Sequence, residues 1–206
     1  MNDPLAVGIT GASGAVYAQR LLRLLSRAER DVHVSISSSG AAVIEQEMGL
    51  RLDLNDRPLD LFLGDDTDLT RLRYHHHSDM SAAIASGSCR LAAMAVCPCS
   101  GATLSAVASG ASGNLIQRAA EVQLKERRKL VLVTRETPLS LACIDNMRRA
   151  AEYGAVVLPA SPGWYHGVRD VSDLVDFIVA RVLDQFDIPH ELIERWGAED
   201  HSGESQ

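Results

Sequence analysis

The stretch Thr10-Gly11-Ala12-Ser13-Gly14 places small and hydroxyl-bearing residues where an apolar run, Leu5 to Ile9, hands over to a helix-periodic segment. Backbone N–H groups at such a turn, with the helix dipole behind them, favour an anion, and glycine lets a ligand approach the main chain closely. Two more clusters share this character: Ser37-Ser38-Ser39-Gly40 after a second apolar run, and Ser100-Gly101-Ala102-Thr103 after "AAMAVCPC". The opening glycines read G-x-x-G, and no carboxylate closes the second run. Both features count against a dinucleotide fingerprint and leave a mononucleotide such as FMN.

Charged residues near these turns have the chemistry to act on a phosphate. Arg118 and Lys125 lie seven residues apart, near one helical face, with Glu121 between them. Arg135-Glu136 ends the buried-looking run "LVLVT"; the guanidinium suits a phosphate or carbonyl, and the carboxylate suits proton transfer. Arg181 follows Ile178 at the edge of the stripe Val171, Leu174, Val175, Ile178 and Val182. A guanidinium half inside a core needs a carboxylate or a phosphate as partner. Trp164 and Tyr165 follow "AVVLP" as lining for an apolar pocket, with the Tyr165 hydroxyl available to an anion.

Positioning these groups falls to five β-like runs, 5–10, 32–37, 92–97, 130–134 and 155–159, with helical patterns over 13–28, 115–127, 141–151 and 171–183. Near-continuous apolar runs are what strands covered on both faces require. Alternation with helices predicts an α/β fold: a single-domain, Rossmann-like three-layer sandwich with a mostly parallel sheet and ligands at the carboxyl ends of its strands. The charged stretch 51–79 is irregular, with a short strand at 71–74, and the domain is expected to span 1–197, followed by a tail over 198–206.

A net charge of −7 argues against a nucleic-acid or anionic-membrane surface, and no apolar run approaches the length of a membrane span. Without a basic, then apolar, amino-terminal leader, the expectation is a cytoplasmic protein. Cys97 and Cys99 match no zinc spacing and read as small buried residues beside a ligand loop. His75-His76-His77, in a polar stretch without partner ligands, reads as a solvated loop, and no metal is expected.

Taken together, "TGASGA", "CPCSGATLSAVASGASGNLIQRAAEVQLKERRKLVLVTRETPLS", "GAVVLPASPGWYH", "LVDFIVARVLD" and "RWG" resemble the UbiX/Pad-type flavin prenyltransferases from residue 5 to about 197. The resemblance implies transfer of a dimethylallyl group from dimethylallyl phosphate to N5 and then C6 of reduced FMN, without a metal. The product, prenylated FMN, would pass to a UbiD-type decarboxylase, and the assembly would be a homododecamer with sites between subunits. By position, Gly11, Ala12, Ser13, Ser37, Ser100, Gly101, Ala102, Thr103 and Arg135 match flavin contacts. Tyr165 and Arg181 match prenyl-phosphate contacts, Arg118 and Lys125 further phosphate-side cations, and Trp196 an aromatic near the pocket. Glu47 and Glu136 match acidic site residues, with Glu136 moving a proton together with Ser13. Members often carry Ser-Lys-Ala where this chain has Ser37-Ser38-Ser39, and some carry tryptophan where it has Met80.

Two alternatives stand beside this reading. One is a flavin-dependent cysteine decarboxylase of similar fold, which needs an early histidine base; His33, inside the second strand, is a poor one. The other is a non-catalytic FMN carrier or regulatory subunit, which could dispense with Arg118, Lys125, Glu136 and Arg181.

Overall fold

Strands covered on both faces must pair side by side, and the apolar runs do so. The computed structural model describes residues 3–165 and 167–193. Six strands, β1 (Leu5–Ile9), β2 (Val32–Ile36), β3 (Leu72–Tyr74), β4 (Ala93–Cys99), β5 (Lys129–Thr134) and β6 (Val156–Pro159), form one sheet in the order β3-β2-β1-β4-β5-β6. Every neighbouring pair is parallel. The short expected strand in the charged stretch is β3, on the sheet's edge.

Seven helices flank the sheet in the described residues: α1 (Ala15–Leu25), α2 (Ser38–Met48), α3 (Pro58–Leu63), α4 (Gly101–Ser109), α5 (Leu115–Lys125), α6 (Leu141–Glu152) and α7 (Val171–Gln185). Because side chains alternate across a strand, each face of the sheet carries its own core. Leu5, Val7 and Ile9 with Ala93, Ala95, Val131 and Val133 pack under α1 and α7. Ala6, Met94, Val96, Leu130 and Leu132 pack under α4 and α5, with Ala150 of α6. Helices α5 and α7 therefore lie on opposite sides of the sheet.

Several expectations change. The serine-rich stretches after β2 and β4 are not loops but the first turns of α2 and α4. Ser37 caps α2 by accepting from the Gly40 N–H at 3.0 Å, and Ser100 caps α4 by accepting from Thr103 at 3.3 Å. Serine at the N-cap satisfies an otherwise orphaned N–H, so the composition that suggests a turn also starts a helix. In α1 the buried face is Ala15, Ala18, Leu21, Leu22 and Leu25, while Val16 is exposed. His75, His76 and His77 are half-buried rather than solvated: His33 and His75 stack at 5.0 Å with Nδ1 and Nε2 2.7 Å apart, and His77 shares a 2.9 Å hydrogen bond with Ser38. Cys97 and Cys99 are buried as expected.

Candidate functional site at the carboxyl edge of the sheet

The carboxyl ends of β1, β2, β4 and β5 face one edge, and α1, α2 and α4 begin there. Thr10 ties two of these ends together: its hydroxyl donates to the Pro98 carbonyl at 2.8 Å and accepts from the Ser100 N–H at 2.8 Å. A Cβ on Gly11 would fall 2.6 Å from Ser39 Cβ, so the absence of a side chain lets the first turn lie against the start of α2.

The start of α1 already holds an anion, and it comes from the chain itself. Gly14, the left-handed N-cap with φ 113°, has no side chain to offer the helix. The Glu47 carboxylate, from the far end of α2, accepts from the Gly14 N–H at 3.0 and 3.1 Å and from the Ala15 N–H at 2.8 Å. Burial pushes this carboxyl up, but hydrogen bonds from Ser13, Ala15 and Gly14, with the Arg135 charge, bring it below the usual carboxylate range. The N–H groups of Gly14 and Ala15 are thus satisfied within the chain, whereas the starts of α2 and α4 on the same edge are capped by serines rather than by a carboxylate.

Arg135, just past β5, reaches across the edge and donates from Nε to the Ser13 carbonyl at 3.3 Å. Glu136 is exposed, with its Oε2 3.9 Å from where a Gly101 Cβ would lie. Gly11, Ala12, Ser13, Ser37, Glu47, Ser100, Gly101, Ala102, Thr103, Arg135 and Glu136 thus gather along one edge. The Ser13 hydroxyl is bonded to Glu47, not to Glu136.

The remaining cations sit elsewhere in the chain. Arg118 donates from Nε to the Ala85 carbonyl at 3.0 Å and pairs with Glu121 at 2.6 Å. Lys125 pairs with Glu126 at 2.5 Å beside Gly87, so Arg118 and Lys125 share the flank of α5 expected of them. Arg181 does not join them. It lies across the sheet on α7, exposed rather than half inside the core, and pairs with Asp184 at 2.9 Å. Tyr165 is exposed and makes an edge-on contact with Phe177 at 6.0 Å. Trp196 and the tail lie outside the described residues.

Sequence reasoning passed over Tyr17 and set His77 aside as part of a solvated loop. Tyr17 is three residues past Gly14, a spacing that turns its ring back onto the same face; a Gly14 Cβ would fall 2.7 Å from that ring. Burial raises its phenol, with Cys97 and Glu47 adding to the rise and Arg135 opposing it, which places the phenol within the field of the site. Among the described residues, no group of three His, Cys, Asp or Glu side chains is arranged to hold a metal ion. No described helix is long and apolar enough to cross a membrane.

Comparison with known proteins gives this geometry a family. The Flavoprotein family model matches residues 2–183. The flavin prenyltransferase UbiX of Pseudomonas aeruginosa is 46% identical over 201 residues, 96% of both chains. This chain belongs to the UbiX flavin prenyltransferase family. Among solved members and relatives, the crystal structure of AnUbiX (PadA1) in complex with FMN and dimethylallyl pyrophosphate superposes with a TM-score of 0.84 at 37% identity, over 97% of this chain and 100% of that one. The dodecameric FMN-dependent UbiX-like decarboxylase of Escherichia coli O157:H7 gives 0.83 at 38% identity, over 94% of this chain and 98% of that one. The edge described above fits the flavin such relatives hold: small residues and the starts of α2 and α4 leave room and N–H donors for a phosphate-bearing mononucleotide, and Gly11 keeps the first turn close to Ser39.

Proposed function

We propose that this protein transfers a dimethylallyl group from dimethylallyl phosphate to N5 and C6 of reduced FMN, giving prenylated FMN. The observation that carries the proposal is the convergence of Glu47, Ser13 and Arg135 with the starts of α2 and α4 on one sheet edge. Reduced FMN, once bound, supplies the nucleophilic ring atoms.

In this reading the chain's own residues do the following. Ser37, Ser100, Gly101, Ala102 and Thr103, with Gly11, Ala12 and Ser13, seat the flavin, and Arg135 steadies it from the facing strand. Glu136, exposed beside Gly101, takes the proton lost from the flavin ring, and the Ser13–Glu47 pair keeps a hydroxyl and a second carboxylate nearby. Tyr165, Arg181, Arg118 and Lys125 stabilise the departing phosphate where charge builds. Because α5 and α7 lie on opposite faces, Arg118 and Lys125 reach the phosphate from a neighbouring copy; the dodecameric E. coli relative supports an assembly in which they can. With this many cations, the leaving group needs no metal ion.

The product is a modified cofactor, so its consumer is a decarboxylase of the UbiD type. Four free cysteines suit a reducing cytoplasm. The cysteine-decarboxylase alternative loses its candidate base, since His33 is buried and hydrogen-bonded to His75. The test is incubation of the purified protein with FMN, a reductant and dimethylallyl mono- or diphosphate, followed by mass spectrometry. A flavin heavier by one C5 unit is expected; unmodified FMN with both donors refutes the proposal.

A further inference from the structure

His77 and Ser38 form a hydrogen bond that nothing in the proposed reaction uses. Ser38 is the first residue of α2, at the helix end that no carboxylate of the chain occupies, next to Ser37 and in line with Gly11 through Ser39. Its hydroxyl lies 2.9 Å from His77 Nε2. The His77 backbone is held from the other side, its carbonyl accepting from the Leu115 N–H at the start of α5 at 2.8 Å. His77 is therefore held between two helix starts, its backbone against α5 and its imidazole against α2's first turn.

Building on the proposed flavin site, we infer that His77 is a protonatable group behind the flavin phosphate: it takes up a proton from solvent when FMN binds, and so sets the pH dependence and phosphate preference of the site. The surroundings of the ring argue for this. From its own segment His76 faces it, with ring centroids 4.5 Å apart. From α2 only the neutral Ser38 reaches it, and on α5 the nearest cation, Arg118, is engaged by Ala85 and Glu121. Both carboxylates of α2 lie toward its far end, Glu47 at the start of α1 and Glu45 4.0 Å from Arg51. Burial and His76 both hold His77 below the ordinary imidazole value, and among the described residues no acidic group offsets them. Helix dipoles at the two starts add a positive field. Without a ligand the ring is neutral near pH 7. A phosphate dianion at α2's first turn supplies the missing opposite charge, and the protonated ring then donates through Nε2 to Ser38, leaving the Ser38 hydroxyl hydrogen free to point at the phosphate. Riboflavin, which lacks the phosphate, gives the ring no reason to charge.

The test is titration calorimetry of the full chain with FMN and with riboflavin at pH 7, in buffers of different ionisation enthalpy, for wild type, His77→Asn and Ser38→Ala. Wild type is expected to take up between about 0.3 and 1 proton per FMN and none per riboflavin. In His77→Asn that uptake should vanish, with FMN affinity about 3- to 10-fold weaker at pH 6.5 and riboflavin affinity changed by less than about 2-fold. Ser38→Ala should reduce the uptake without abolishing flavin binding. FMN binding with the same proton count in wild type and His77→Asn overturns this inference alone. Failure of wild type to bind FMN overturns it together with the flavin site on which it rests.

Discussion

The carboxylate of Glu47 closes the start of α1, accepting from Gly14 and Ala15 across thirty-two and thirty-three residues of sequence. It does for α1 what Ser37 and Ser100 do for α2 and α4, but with a charge, and so ties the end of α2 to the start of α1. Glu47→Gln should lower stability at pH 7 by about 1 kcal/mol, the ordinary worth of a lost helix cap. Because the folded-state carboxyl titrates below its unfolded value, the contribution is present above the usual carboxylate range and lost as pH falls through the folded value. Denaturant melts of the two proteins should therefore differ at pH 7 and converge as the pH falls below the usual carboxylate range.

Gly11→Ala tests the packing of the opening turn against α2. The new Cβ would meet Ser39 Cβ at 2.6 Å and the Ser39 backbone carbon at 3.3 Å, so the start of α2 must shift outward. The variant should fold with a modest loss, on the order of 1 to 3 kcal/mol, while FMN affinity, read by fluorescence quenching, should drop by at least about tenfold.

Arg118 and Arg181 stand on helices that cover opposite faces of the sheet, each paired within the chain to a neighbouring carboxylate. If each is supplied by a different copy, Arg118→Ala and Arg181→Ala should be separately inactive yet complement each other. Subunits mixed at equal ratio and reassembled should regain about a quarter of wild-type turnover, the statistical share of sites with both residues intact. Mixing that recovers nothing would argue that the two arginines do not act on the same phosphate.

His33 gives the fold a pH dependence of its own. Burial, then His75 and Arg73, lower its imidazole from 6.5 to about 4, with Asp31 opposing. Between those values the unfolded chain takes a proton that the folded chain refuses, so stability falls as pH drops from about 6.5 toward about 4. His33→Asn keeps a polar atom near Nδ1 and should flatten this slope, removing up to roughly 2 to 3 kcal/mol of acid sensitivity, measured as the difference in unfolding free energy at pH 7 and pH 4.5.

The layered architecture was legible because apolar runs such as Leu130–Val133 have no other way to be satisfied than a sheet covered twice. The starts of α2 and α4 were not, because serine and glycine serve both turns and caps, and α2 buries only Gly40 and Ile44, too little to mark a helix by periodicity. The gathering of small residues on one edge followed from strand polarity. What occupied the start of α1 did not, since no local pattern joins Glu47 to Gly14; only the tertiary path of α2 brings them together. Arg181 misled for a related reason: its place beside Ile178 suggested burial, but the helix turns it outward to Asp184.

The two cysteines at the end of β4 lie directly beneath the edge where an activated allylic carbon would be handled. Burial pushes the Cys97 thiol up to about 12 and the Cys99 thiol higher still. Thiols held in this way are chemically silent, because the thiolate is the form that attacks carbon. A catalyst of alkylation built on this edge would be protected from alkylating itself, and the nucleophile with access to the electrophile would be the one it was given to modify.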